Sequence, residues 1–239
     1  MIIFPAIDLL DGECVRLLQG DFERKTTYST NPIEVAELFQ SQGAQWLHVV
    51  DLDGARSGKQ SNFGVIRDLA QLGLNLQVGG GIRSMDSAYS LIDSGVKRIV
   101  AGSSLVQNPQ FRNEFFKLKE YVVAGLDVQG DQLAIHGWKQ TGDVDLMTFL
   151  QVIESEGCAR YVLTDIATDG MQSGPNLDLL NKCLANSSMK IVHSGGIGTY
   201  AHLQALKDLN NERLEGIIIG RAIYEKSVEL PSVLQQFKS

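Results

Sequence analysis

The sequence predicts an α/β protein built as a single (β/α)8 TIM barrel over residues 1–239. Three observations predict it. Short apolar runs rich in Val, Ile and Leu alternate eight times with amphipathic stretches. The runs are continuous rather than alternating, as in parallel strands covered by helices on both faces. Features of the first half recur in the second at near-constant offsets, which predicts two half-barrels, about 1–120 and 121–239, related by a pseudo-twofold. A doubly wound open sheet is the structural alternative. It more often has about five to seven strands and one Gly-rich first turn, whereas here glycines follow many strands.

In chain order the predicted strands are 2–8, 46–51, 75–79, 98–101, 121–127, 160–165, 190–194 and 215–220. The predicted helices are 32–42, 62–73, 85–94, 109–119, 145–156, 176–186, 199–209 and 229–238. Asn31-Pro32 and Asn108-Pro109 are start signals, an N-cap followed by proline at the first helical position. Gly43, Gly73, Gly95 and Gly157 are stop signals. The repeat pairs Asp8 with Asp127, Asp51 with Asp165, Gly80 with Gly195 and Gly102 with Gly220, at offsets between 114 and 119 residues. Residues 78–82 read Val-Gly-Gly-Gly-Ile and residues 193–197 read His-Ser-Gly-Gly-Ile.

Composition is that of a globular protein, 44% hydrophobic and 21% charged. A net charge of −7 argues against a nucleic-acid surface. Neither a signal peptide nor a membrane-spanning stretch is expected, so the chain reads as cytoplasmic, with no membrane partner. Cys14, Cys158 and Cys183 show no metal or redox spacing and read as reduced thiols. The histidines His48, His136, His193 and His202 lack zinc-ligand spacing, so no metal is expected.

In such a barrel, function sits where strands end and helices begin. Asp8 and Asp127 end strands one and five, which lie on opposite sides of an eight-stranded barrel. A general acid and a general base on opposite faces of a bound sugar would use that geometry; the alternative is that each acid merely caps a loop. Gly80, Gly81, Gly102 and Ser103 follow strands three and four, and Gly195, Gly196, Gly220 and Arg221 follow strands seven and eight. Glycine lets backbone amides approach an anion, and a following helix N-terminus favours negative charge. The duplication points to a small-molecule substrate with two phosphates. Residues 9–31 and 128–144 are long enough to be lids; the first holds Gly20 and the second Trp138. Trp138 either stacks on a planar heterocycle or pins its loop to the rim. Arg83 either meets a substrate anion or faces solvent. Thr164 ends strand six and Asp169 lies in the loop after it.

Taken together, Phe-Pro-Ala-Ile-Asp8-Leu, Val-Arg16-Leu-Leu-Gln-Gly20-Asp, His48-Val-Val-Asp-Leu-Asp53-Gly-Ala, Val-Gly-Gly-Gly-Ile-Arg83, Thr164-Asp-Ile-Ala-Thr-Asp169-Gly and Ser-Gly-Gly196-Ile resemble the ProFAR isomerases of histidine biosynthesis (the HisA family) over essentially the full length. The resemblance implies an Amadori rearrangement, aminoaldose to aminoketose, on a substrate with a phosphate at each end. It implies Asp8 as general base, Asp127 as general acid, and Thr164 bonding ribose hydroxyls or orienting a catalytic group. It further implies Trp138 stacked on the aminoimidazole, Arg83 and Asp169 holding lids and substrate, no cofactor, and a monomer. Strand four ends Gly102-Ser-Ser where the family often has Gly-Thr-Ala. The related cyclase barrel reads Cys-Leu-Asp at the first strand, against Ala-Ile-Asp here. A bifunctional isomerase that also accepts phosphoribosyl anthranilate, and a barrel that only binds a sugar phosphate, are the other readings.

Overall fold

The computed structural model describes residues 1–18, 20–135 and 140–237. β1 (Ile2–Leu10) is followed by a hairpin, β2 (Glu13–Leu18) and β3 (Asp21–Ser29). α1 (Pro32–Ser41) leads to β4 (Trp46–Asp51), α2 (Leu52–Ser57), α3 (Phe63–Ala70) and β5 (Asn75–Gly79). Next come α4 (Met85–Asp93), β6 (Arg98–Ala101), α5 (Ser103–Gln107) and α6 (Pro109–Phe116). β7 (Val122–Gln129) carries a second hairpin, β8 (Gln132–Ile135) and β9 (Gln140–Asp145), before α7 (Leu146–Ser155), β10 (Arg160–Asp165) and α8 (Leu177–Asn186). β11 (Lys190–Ser194), α9 (Tyr200–Asp208), β12 (Leu214–Ile219), α10 (Arg221–Tyr224) and α11 (Leu230–Gln236) complete the order.

Eight parallel strands pair in the circular order β1-β4-β5-β6-β7-β10-β11-β12, and β12 pairs with β1 to close the barrel. β1 and β7 are therefore four strands apart in either direction, at opposite sides. The helix signals act as their chemistry demands. The Asn31 side chain accepts from the amides of Ile33 and Glu34, and that of Asn108 from Phe111. Gly43, Gly73, Gly95 and Gly157 all take positive φ, between 84° and 100°, where a side chain would be strained.

The largest apolar core lies between strands and helices, with Ile7, Leu47, Leu76, Ile99, Phe115 and Tyr161 fully buried. A second, small cluster of Phe4, Ala6, Val123, Val162, Val192 and Ile218 fills the barrel interior. Below it, a register shift at the β11–β12 pairing inserts Glu215 on β12. Its carboxylate meets Arg98 at 2.9 Å and Arg160 at 3.3 Å, and the Arg98 guanidinium lies 4.5 Å from the centre of the Trp46 ring. The strands' N-terminal end is thus plugged by a paired-charge layer, which leaves the opposite end for the cavity.

The rim after β4 is tied down by buried polar groups. Asn62 donates to Asp51 at 2.6 Å and to Asp53 at 3.0 Å, and its carbonyl accepts from the Gly12 amide at 3.0 Å. Asn62 therefore joins the β1–β2 turn to the loop after β4 instead of capping α3 with its side chain. Asn62→Ala would leave two buried carboxylates without their shared donor. Stability should fall by about 2–4 kcal/mol in urea unfolding; a loss under about 1 kcal/mol would refute the strap.

Candidate active site

A cavity of about 350 Å³ opens at the C-terminal end of the strands. Asp8, Asp127 and Thr164 line it from β1, β7 and β10. Gly80, Gly81, Gly102 and Ser103 line one side of the rim, and Gly195, Gly196, Gly220 and Arg221 another. Gly20, Arg83 and Asp169 reach it from the loops. Of the residues singled out in the sequence, Trp138 and His136 lie outside the described residues.

Pleating explains which side chains arrive. Alternate residues of β1 face inward, so Phe4 and Ala6 enter the interior cluster and Asp8 stands one step above them. Thr164 is paired with Asp127 across the β7–β10 ladder and is buried. Asp8 is paired with Val15 on β2, which brings Arg16 back over the strand end. Arg16 Nη1 donates to Asp8 Oδ2 at 2.5 Å. Burial raises the pKa of Asp8, and the Arg16 charge and hydrogen bond pull the other way. Burial would lower the pKa of Arg16, but the fields of Asp8 and Asp169 more than offset it.

The glycine turns differ in what they offer an anion. Gly102 and Gly220 share one conformation, with φ −112°, ψ −104° and φ −110°, ψ −98°, and each starts a short helix, α5 or α10. First-turn amides of a helix have no intrahelical acceptor. A side chain at Gly220 would collide with the Arg16 guanidinium, which lies across that turn. The Gly196 amide is already given to the Thr168 carbonyl at 3.1 Å. Arg83 is exposed, and its Nη2 donates to the Ala55 carbonyl at 2.8 Å, so part of its guanidinium serves the rim itself. Arg221 is held likewise, by the Gly170 carbonyl and by Glu225, each at 2.6 Å.

Asp169 is a second perturbed carboxyl of the cavity. Burial pushes its pKa up to about 6, with Arg16 opposing and Asp8 and Asp127 adding to the rise. Such a carboxyl keeps its proton in the native state where the unfolded chain, near 3.8, has lost it. The contribution of Asp169 to stability is therefore fullest below about pH 4 and falls as pH rises to about 6. Asp169→Asn should gain roughly 1–2 kcal/mol at pH 7 to 8, discounted for partial exposure. It should also flatten the dependence of Tm on pH between about 4 and 6; unchanged slopes would contradict this.

Three further cavity residues were not singled out as functional. Arg16 enters the sequence reading only within the stretch Val-Arg16-Leu-Leu-Gln-Gly20-Asp; its partner is eight residues away in sequence and adjacent only through the β1–β2 hairpin. His48 was read as a histidine of an apolar strand, and Ser194 as part of a repeated motif; both line the cavity. The available signal was period two: His48 and Val50 alternate with Leu47 and Val49, which face the helices. Among the described residues, no three His, Cys, Asp or Glu side chains converge as a metal site, and no helix is long and apolar enough to cross a membrane.

Fold and cavity together define a (β/α)8 barrel with ionisable groups gathered at the C-terminal end of its strands, the arrangement of an enzyme. The family described as "Histidine biosynthesis protein" matches residues 2–229. The chain belongs to that family. A relative from Oceanobacillus iheyensis is 40% identical, with 98% of each chain covered. One from Bacillus subtilis is 38% identical, covering 99% of this chain and 97% of its own. One from Thermoanaerobacter pseudethanolicus is 37% identical over the whole of both chains. All three are named 1-(5-phosphoribosyl)-5-((5-phosphoribosylamino)methylideneamino) imidazole-4-carboxamide isomerase.

Proposed function

We propose that this chain is the ProFAR isomerase of histidine biosynthesis, an aldose–ketose isomerase acting by an Amadori rearrangement. The observation that carries the reading is one cavity lined by Asp8 and Asp127 from opposite strands. Family membership and relatives bearing that name support it. Asp127 protonates the ribose ring oxygen, the C1′–oxygen bond breaks, and a C1′–nitrogen Schiff base forms. Asp8 takes the proton from C2′, giving an enolamine. Asp8 gives that proton to C1′ while the C2′ hydroxyl proton passes to Asp127, leaving a carbonyl at C2′ and both carboxyls in their starting states, so hydrogen moves between neighbouring carbons with no net redox change.

The surroundings suit these roles. Burial makes Asp8 a stronger base than a free carboxylate, and Arg16 at 2.5 Å favours its ionised form. Thr164 beside Asp127 offers a hydroxyl to the ribose. The two glycine rims receive the two phosphates, Gly80, Gly81, Gly102 and Ser103 at one end and Gly195, Gly220 and Arg221 at the other. Gly20, Arg83, Asp169 and Trp138 close over the substrate. We take the enzyme to be a cytoplasmic monomer that needs no cofactor.

The barrel also reads as two half-barrels. Supporting this, Asp51 bonds Asn62 and Asp165 bonds Asn176, each pair eleven residues apart and at the same place after β4 or β10. Ser84 and Thr199, 115 residues apart, cap α4 and α9 with matching φ of −143°.

The test is spectroscopic conversion of ProFAR by purified protein without added metal or cofactor. Steady turnover is expected. Tight binding without conversion would leave only a sugar-phosphate-binding barrel.

A further inference from the structure

The cavity floor holds a polar pair that the acid–base scheme does not use. His48 on β4 is the register partner of Ala6 on β1 and of Gln77 on β5, one step below Asp8. Gln77 is completely buried and His48 is 8% exposed, with its ring among the cavity-lining groups. Gln77 Nε2 lies 3.1 Å from His48 Nδ1, and Gln77 Oε1 is buried with no hydrogen-bond partner. A buried amide with an orphaned carbonyl is unfavourable for stability, and an apolar side chain would avoid that cost. The pair therefore calls for a reason other than folding.

With its amide nitrogen turned to the ring, Gln77 donates, and His48 Nδ1 is then the bare, accepting nitrogen. A neutral ring then carries its one proton on Nε2. Burial, with Arg16 nearby, holds the pKa of His48 down to about 3, so the ring is neutral at any working pH. The charge acting on the ring is that of Arg16 on β2, which is itself paired with Asp8 on β1.

We propose that Gln77 is a positioning residue that fixes His48 as the Nε2–H tautomer, making it a neutral hydrogen-bond donor from the cavity floor to a sugar oxygen near the reacting carbons. This rests on the isomerase reading above. A neutral donor here can bond an oxygen as charge develops on it without competing with Arg16 for the Asp8 carboxylate. The role parallels the outer-shell partners that set histidine tautomers at metal sites.

The test has two parts. Nitrogen-15 NMR of the wild-type protein, with the His48 signal assigned by its loss in His48→Gln, should show Nε2 protonated and Nδ1 bare at pH 7. A protonated Nδ1, or an imidazolium, overturns the proposal without any variant of Gln77. Gln77→Glu presents an acceptor to Nδ1, so it should move the proton to Nδ1 and turn Nε2 into an acceptor. Turnover should then fall about a hundredfold with KM changed less than about threefold. Gln77→Met, which removes the orphaned carbonyl, should keep or raise Tm while the His48 tautomer becomes mixed. Unchanged kcat in Gln77→Glu with a shifted tautomer, or a Gln77→Met variant whose loss of activity follows loss of folding, would show a structural role only. Those kinetic results count against Gln77 only while the wild type converts ProFAR, which separates this failure from that of the isomerase assignment.

Discussion

Asp8→Asn is expected to lower kcat by about two to four orders of magnitude while the dissociation constant for ProFAR stays within roughly threefold. The fold should survive, because the Asn carbonyl still accepts from Arg16 Nη1, now without the charge. What disappears is the only property the scheme requires of that position, a carboxylate able to take a proton from carbon. Asp127→Asn should lose turnover to a similar degree for the complementary reason, since an amide cannot deliver a proton to the ring oxygen. Two single losses of that size, with binding kept, distinguish an isomerase from a binding barrel. Direct binding calorimetry beside single-turnover kinetics reads both quantities. If either variant keeps turnover within tenfold of the wild type, that residue is not the acid or base.

The largest expected effect on stability comes from Gly81→Ala. Gly81 has φ +73°, and a Cβ there would lie 2.2 Å from the Gly54 carbonyl oxygen. The added methyl meets backbone on a rim already fixed by Asp51, so the turn itself must move. A cost of about 3–5 kcal/mol is expected, together with loss of the rim's anion affinity. Gly130→Ala is the control. Gly130 also has positive φ, +64°, but nothing lies within 4 Å of its Cβ position. It should lose only about 1 kcal/mol, from conformation alone. Equal costs at the two sites would mean that close approach to Gly54 contributes nothing.

The barrel was legible because its signals are local. All eight parallel strands fall within about two residues of their predicted ends, since continuous apolar runs leave little freedom of assignment. The two hairpins were read only as long connections. β3 is Asp-Phe-Glu-Arg-Lys-Thr-Thr-Tyr-Ser, mostly exposed, so no apolar alternation marks it as a strand. The short helices α2, α5 and α10 are four to six residues long, below the length at which a periodic pattern forms. The acids were legible because each ends an apolar run. The contact of Arg16 with Asp8 and Gly220 was not, because it depends on how a polar hairpin folds back over the rim. The His48–Gln77 pair was hidden for another reason: polar residues facing into a barrel look, in sequence, like interruptions of an apolar strand.

A crystal structure of Asp8→Asn with ProFAR bound is the measurement to make. The substrate should span the cavity, one phosphate on the Gly80–Gly102 rim and the other on the Gly195–Gly220 rim. C2′ should lie about 3–3.5 Å from residue 8, with the ring oxygen facing Asp127 across the barrel. A substrate held by one rim alone, or with C2′ beyond reach of residue 8, would contradict a transfer of hydrogen between these two walls.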